Sequence, residues 1–419
     1  MTSAATRLSQ ARKLLAHAPL VDGHNDLAWE IRERFGADLT VAELAVGMPR
    51  LHTDLSRLRR GHLGAQFWSV YVPGTLPGDA AVATTLEQID LVRRVVAAYA
   101  DDLELAGSAA DVERIFASRK IASLLGAEGG HSIAGSMGVL RMLFQLGVRY
   151  MTLTHNFNVP WADAATDEPA VGGLTAFGQE VIHEMQRLGM LVDLSHVAAD
   201  TARQALDVAE GPIIFSHSCA RALCDHLRNV PDDVLSRLTG NGGVCMVAFV
   251  PAFVSPECRE WDLALAADME SRGLDWKDLA VRAVMRTERT SHHPRPRATL
   301  GQVADHVEHV RAVAGIDHVG IGADYDGTDQ LPVGLEDVSC YPALFAELLG
   351  RGWSESDCAL LAGGNVLRVM REAETAAGKL RKQRGPSLAR CADALSGAKP
   401  TSGCLPSCAR RPVADDPDV

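Results

Sequence analysis

Between Leu20 and about Ala376, short apolar runs alternate with amphipathic stretches. The strand-like runs cover residues 20–22, 66–72, 121–126, 150–154, 190–195, 212–216, 243–249 and 318–323. Several are continuously apolar, as parallel strands covered on both faces are. Between them, residues 85–99, 138–146, 176–188, 199–209 and 300–314 space their apolar positions as helices do. Eight strands with intervening helices predict a parallel sheet, and eight is the number that closes a (β/α)8 barrel. A doubly wound open sheet would show a glycine-rich phosphate loop after its first strand, and Val21–Asp26 (VDGHND) is not one. The pattern therefore predicts an α/β protein of the TIM-barrel type.

The two ends read differently. Residues 1–20 have basic side chains but no apolar stretch long enough for a secretory leader, and a short amphipathic helix is expected. From Gly378 onward Lys, Arg, Ser, Pro and Gly accumulate with no apolar period. This places a barrel domain at 1–377 and a disordered tail at 378–419.

Composition narrows the function classes. The 419 residues carry 41 basic and 53 acidic side chains, a net charge of −12 that disfavours nucleic acid or an anionic membrane as partner. No run approaches the roughly 18–20 apolar residues of a membrane span. The nine cysteines are odd in number and irregularly spaced, which argues against a disulfide framework and for a reduced, cytoplasmic protein.

The candidate chemistry lies just after the runs. His24 and Asp26 follow the first, Glu128 the third, His155 the fourth, His196 the fifth, His217 the sixth and Asp324 the eighth. Barrel active sites form at the carboxyl ends of strands, so six separate segments would converge there. Alternation offers a check, since residues two apart share a face. Glu128 then goes with Leu124, His196 with Val192 and Leu194, His217 with Ile213 and Phe215, and Asp324 with Gly320 and Gly322. One histidine after an apolar run is more often a hydrogen-bonded core residue, and a lone carboxylate there more often caps a helix. The ordered set is different. Histidines and carboxylates facing one cavity suit divalent metal, zinc above all, and two ions sharing a carboxylate would activate a water between them. His131 is expected near the site but not in it, and His292 and His293 in a solvated loop.

In chain order, VDGHNDLAW, GAQFWSVYVP, GAEGGHSI, RYMTLTHNFNVPWAD, LVDLSH, IIFSHS, RNVPDDVL and GIGADYDG resemble the renal (membrane) dipeptidase family, dinuclear zinc peptidases of the amidohydrolase superfamily. The resemblance runs from about Leu20 to Arg371. It implies an amidohydrolase-like barrel with two zinc ions per chain. His24 and Asp26 would hold one, His196 and His217 the other, and Glu128 with a hydroxide would bridge them. It further implies that His155 contacts the substrate and polarises its carbonyl, that Arg228 pairs with the free carboxylate of a dipeptide, and that Trp29 lines the pocket. Asp324 would transfer the proton; spacing alone does not separate it from Asp326.

A homodimer and, as in bacterial-type members, L-Xaa-D-Xaa substrates are also implied. The secretory and lipid-anchor signals of the mammalian relatives are not seen, so no membrane association is expected. Val250 stands where those relatives carry an aromatic residue that contacts substrate, which bears on side-chain preference. Residues 251–299 would form a lid or part of a dimer interface. The competing functions are another hydrolysis on the same metals, such as N-acyl-amino-acid deacylation, and a metal-binding scaffold without activity.

Overall fold

Nine parallel strands form one sheet: β1 (Leu20–Asn25), β2 (Leu63–Ser69), β3 (Leu103–Leu105), β4 (Ile121–Ala127), β5 (Val148–Thr152), β6 (Leu191–Asp193), β7 (Ile213–Phe215), β8 (Val244–Val247) and β9 (Val319–Ile321). They are seen in a computed structural model that describes residues 3–276 and 278–391. Pairing runs from β2 through β1, β9, β8, β7, β6 and β5 to β4. β4 then pairs back to β2, from Ala65↔Ala122 to Ser69↔Gly126, which closes an eight-stranded barrel. All eight expected strands are present, with shifted ends. The second runs over Leu63–Ser69 rather than 66–72; Val70 still donates its amide to the Gly126 carbonyl (2.8 Å), and both Val70 and Val72 are buried.

β3 was not expected. It pairs with the first half of β4 (Leu103↔Ile121 to Leu105↔Ser123), and β5 takes the second half (Leu125↔Val148 to Ala127↔Met151). Val21, Phe67, Leu124, Tyr150, Leu191, Ile214 and Met246 fill the barrel interior as one packed cluster. The other faces of the same strands, with Leu20, Leu125, Val192, Phe215 and Ile321, pack on the surrounding helices.

Local chemistry starts and stops those helices where expected. Leu300–Ala314 opens with a reciprocal capping box between Thr299 and Gln302. Ala176–Leu188 opens on Thr175 and ends at Gly189 in the left-handed region. The N-terminal helix, Ala4–Leu15, is capped by Ser3 and buries Ala11 and Leu15.

Two expectations need correction. The boundary at 377/378 falls inside the helix Asn365–Gln383, whose buried Ala373, Ala377 and Leu380 continue an apolar stripe past the change in composition. Beyond it, the Ser387 amide donates to Glu184 (3.1 Å); the remainder of the expected tail, 392–419, lies outside the described residues. His292 ends a helix, Leu279–His292, instead of lying in a loop. That helix and Pro256–Ser271 make their own small core from Trp261, Leu265, Met269 and Met285. Arg286 and Arg295 tie this unit to Asp329 in the loop after β9 (2.6 and 2.9 Å). No helix among the described residues is long and apolar enough to cross a membrane.

Candidate metal centre

The carboxyl ends of the strands bring His24, Asp26, Glu128, His155, His196, His217 and Asp324 to one place. Three overlapping groups could each hold a cation: His24, Glu128 and His217; Glu128, His155 and His196; His24, Asp26 and Asp324. Glu128 joins two of them, and its two oxygens face different neighbours. Oε1 lies 3.0 Å from His196 Nε2, 3.5 Å from His217 Nε2 and 3.8 Å from His155 Nε2. Oε2 lies 3.5 Å from His24 Nε2 and accepts from Ser69 Oγ (3.2 Å). His24 Nε2 in turn is 3.2 Å from Asp26 Oδ2 and 3.9 Å from Asp324 Oδ1. Every one of these side chains is largely or wholly buried.

Simple alternation accounts for only part of this convergence. Glu128 does share the inward face of Ala122 and Leu124. In β6 and β7, however, the inward residues are Leu191 and Ile214, while Val192, Leu194, Ile213 and Phe215 face the helices. Strict alternation would thus point His196 and His217 outward. His196 turns in because its backbone takes the left-handed region (φ 70°), as Asp324 (φ 65°) and Asp326 (φ 66°) also do. Such conformations cost roughly 1–3 kcal/mol each in non-glycine residues and gather at functional sites. In β1 the inward residue is Val21, and a register irregularity between Asp22 and Asn25 precedes the turn of His24.

Buried partners select the imidazole tautomers. The Tyr150 hydroxyl donates to the Gly23 carbonyl (3.1 Å), so it accepts from His24 Nδ1 (2.9 Å). Ser216 Oγ donates to Asp193 Oδ2 (2.5 Å) and likewise accepts from His217 Nδ1 (2.8 Å). In both rings Nδ1 is engaged by its buried partner and Nε2 is the nitrogen turned to the centre, as in a metal-ligating histidine. His196 Nε2 and His217 Nε2 lie 2.9 Å apart, and Asp26 Oδ1 is buried without a partner among the described residues. Converging lone pairs and carboxylates fit divalent cations of the zinc kind.

Charge is divided unevenly. Burial opposes ionisation of Glu128, but the imidazoles of His24 and His155 overcome it and hold the carboxyl well below its usual range. Burial drives His196 and His217 well below the usual imidazole value, reinforced by the Arg228 guanidinium, and takes His155 to about 4. On His24 burial also disfavours charge, yet Tyr150, Glu128 and Asp26 outweigh it and raise the group well above normal. Asp324 is pushed up to about 8 by burial, with the Asp26 and Glu128 carboxylates adding to it against the pull of His24.

Arg228 lies behind the histidines. Its Nη2 donates to the His217 carbonyl (3.2 Å), its Nε has no partner among the described residues, and burial lowers it to about 10, so it stays charged. Trp29 stacks edge-on with Tyr71, and Tyr71 with His155, at 5.0 Å each, an aromatic row leading to the centre. Asp326 instead accepts from the His52 amide (2.6 Å), away from the cluster. His131 Nε2 bonds the Val72 carbonyl (3.0 Å). A Cβ at Gly327 would come within 2.3 Å of Asp324 Oδ1 and 2.4 Å of Asp26 Oδ2, so glycine alone fits there.

Tyr150, Asp193, Asp22 and Tyr71 were missed in the sequence. Asp193 accepts from Thr152 Oγ1 (2.6 Å), the Ser195 and Ser216 amides (3.0 and 2.8 Å) and Ser216 Oγ. Asp22 accepts from the His24 and Ala323 amides (3.1 and 2.9 Å) and the Tyr341 hydroxyl. An aspartate inside an otherwise apolar strand was the available signal, since a buried carboxylate must be bonded.

Known proteins share this architecture. Mouse dipeptidase 3 is 42% identical over 370 residues, 87% of this chain and 66% of that protein. The chain thus spans about two thirds of the length of the curated relatives it matches. Among solved structures, the probable dipeptidase PvdM from Pseudomonas aeruginosa superposes with a TM-score of 0.78 at 24% identity, covering 89% of this chain and 99% of that one. A metallo peptidase from Rhodobacter sphaeroides, liganded with a phosphinate mimic of L-Ala-D-Ala, superposes at 0.71 with 20% identity over 85% and 99%. These two likenesses bear on the fold. Residues 8–384 match the profile of membrane dipeptidase, peptidase family M19, and the chain belongs to that family.

Proposed function

We propose that this protein is a metal-dependent dipeptidase that uses two divalent cations, zinc by preference, on the two sides of Glu128. The observation that carries the reading is the split of the Glu128 carboxylate, Oε1 toward His196 and His217 and Oε2 toward His24. Asp26 completes the His24 side. Bound cations would lower the pKa of a water toward 7 and polarise the scissile carbonyl.

The chain's own residues do the rest. Arg228 pairs with the substrate's free carboxylate, its unpartnered Nε leaving donor capacity for a planar acceptor. His155 stays neutral and donates to the developing oxyanion. Asp324, pushed up to about 8, is suited to take a proton from the attacking water and pass it to the leaving amine. The aromatic row from Trp29 to His155 forms one wall.

L-Xaa-D-Xaa dipeptides are the proposed preference, supported by the dipeptide mimic bound to the Rhodobacter relative. A homodimer and a reducing, cytoplasmic setting belong to the same proposal; the irregular cysteine spacing supports the latter. The test combines metal analysis of the purified protein with a panel of L,L-, L,D- and D,L-dipeptides, their C-terminal amides and N-acyl amino acids. Two zinc ions per chain and cleavage confined to free dipeptides are expected. Equal cleavage of the amides, or activity that survives complete chelation, would overturn the reading.

A further inference from the structure

A cavity of about 170 Å³ opens at the amino-terminal end of the barrel, opposite the metal centre. Its position follows from the extra strand. β3 occupies the first half of β4, so β5 joins late, and the space below is covered by the helix Asn365–Gln383. The cavity is smaller than the ~300–1,000 Å³ of drug-sized sites and has room for roughly six waters' volume, which suits a small metabolite.

Its walls are amphipathic. Phe144, Leu191 and Met370 supply apolar surface, and Arg149, Arg381 and Glu374 supply charge. Arg149 commits Nε to the Gly107 carbonyl (2.6 Å) and Nη1 to those of Phe144 and Val148 (3.0 Å each). Its Nη2 has no hydrogen-bond partner among the described residues. Among the described residues Arg381 bonds only through Nη1, to the Arg187 and Leu188 carbonyls (3.4 and 3.2 Å), which leaves its other nitrogens to donate. Glu374 accepts from the Ala109 amide on Oε1 (3.1 Å), which leaves Oε2.

We propose that this cavity binds a free apolar α-amino acid. Its carboxylate pairs with Arg149 and Arg381, its ammonium with Glu374, and its side chain lies on Phe144, Leu191 and Met370. A plain fatty acid would leave Glu374 without an ammonium partner, and an amine would offer nothing to the free donors of the two guanidiniums. Under the proposed function the products are ligands of this class. That link rests on the proposed function; the binding does not.

The test titrates L-leucine, 4-methylpentanoate and 3-methylbutylamine calorimetrically into the full-length metal-loaded protein carrying Arg228→Met, which removes carboxylate capture at the metal centre. Wild-type protein saturated with a phosphinate dipeptide mimic gives the same measurement without a substitution. Leucine is expected to bind in both formats, with each analogue weaker by about tenfold or more, the worth of a lost charge-assisted hydrogen bond. Glu374→Gln and Arg381→Ala, on the helix surface, should each weaken leucine by a similar factor without changing basal hydrolysis. The proposal fails if leucine binds in neither format, if 4-methylpentanoate binds as well as leucine, or if both substitutions leave leucine affinity unchanged.

Discussion

The two sides of Glu128 differ in residue type and in how their imidazoles are protonated. Toward Oε2 lie His24, Asp26 and Asp324, where carboxylates crowd one imidazole and hold a proton on it. Toward Oε1 lie His155, His196 and His217, backed by Arg228, where burial and a fixed cation strip protons away. Protonation of each imidazole is therefore set by the charges packed around it. A cation entering the first side displaces a proton; one entering the second meets imidazoles already neutral.

The shared carboxylate is where this contrast breaks most completely. Glu128→Gln should release cations from both sides and lower kcat/KM by about 10⁴-fold or more, the several kcal/mol that metal charge supplies. Metal content and steady-state rates measure it, and retention of two ions would contradict a common ligand. Asp324→Asn should lower kcat by about 10³-fold, within the range of a general base, with metal content unchanged. Loss of metal in that variant would make Asp324 a ligand first.

Smaller effects separate the two sides. Tyr150→Phe should weaken the His24 side, and Ser216→Ala the His217 side, each by about 10–100-fold in metal affinity, as expected for groups that orient a ligand. Competition with a fluorescent chelator reads both, and loss on the wrong side would refute the tautomer assignment. On acidification the His24 side should empty first, because its imidazole gains a proton at higher pH than His196 or His217. Equilibrium dialysis against zinc at stepped pH should then show a one-ion species; simultaneous loss of both would remove the asymmetry.

The least effect concerns the metal-free fold. Asp324 and Asp326 are pushed up to about 8 and about 7 by burial, so their ionisation costs more in the folded chain than in the unfolded one. Their contribution is complete below the unfolded carboxyl range and is lost as pH rises through those values. Above about pH 7.5, where the depressed histidines are neutral in both states, Tm of the metal-free protein should fall by a degree or two toward about pH 8.5. Zinc should flatten that slope, and a rising Tm would reverse the assignment.

Much of the clustered rim was legible because each of His24, Asp26, Glu128, His155, His196, His217 and Asp324 comes soon after an apolar run, and a barrel delivers run ends to one place. Glu128 could even be assigned its direction from Leu124. Tyr150 and Asp193 were not legible, since a tyrosine and an aspartate within strands look like core and exception until the residues they touch are known. The tail boundary was misplaced for a related reason. Composition changes at Gly378, whereas burial follows the helical stripe through Leu380.

Periodicity and order along the chain determined the barrel, its eight closing strands and the list of residues at its carboxyl end, because hydrophobic spacing is a local property that folding must satisfy. Beyond Glu128, the direction of those side chains was decided only in three dimensions. His196 and His217 lie on the wrong parity and face inward only through backbone turns and packing that no local pattern encodes. The proton on each histidine was decided there as well, since it depends on charges brought close from distant parts of the chain.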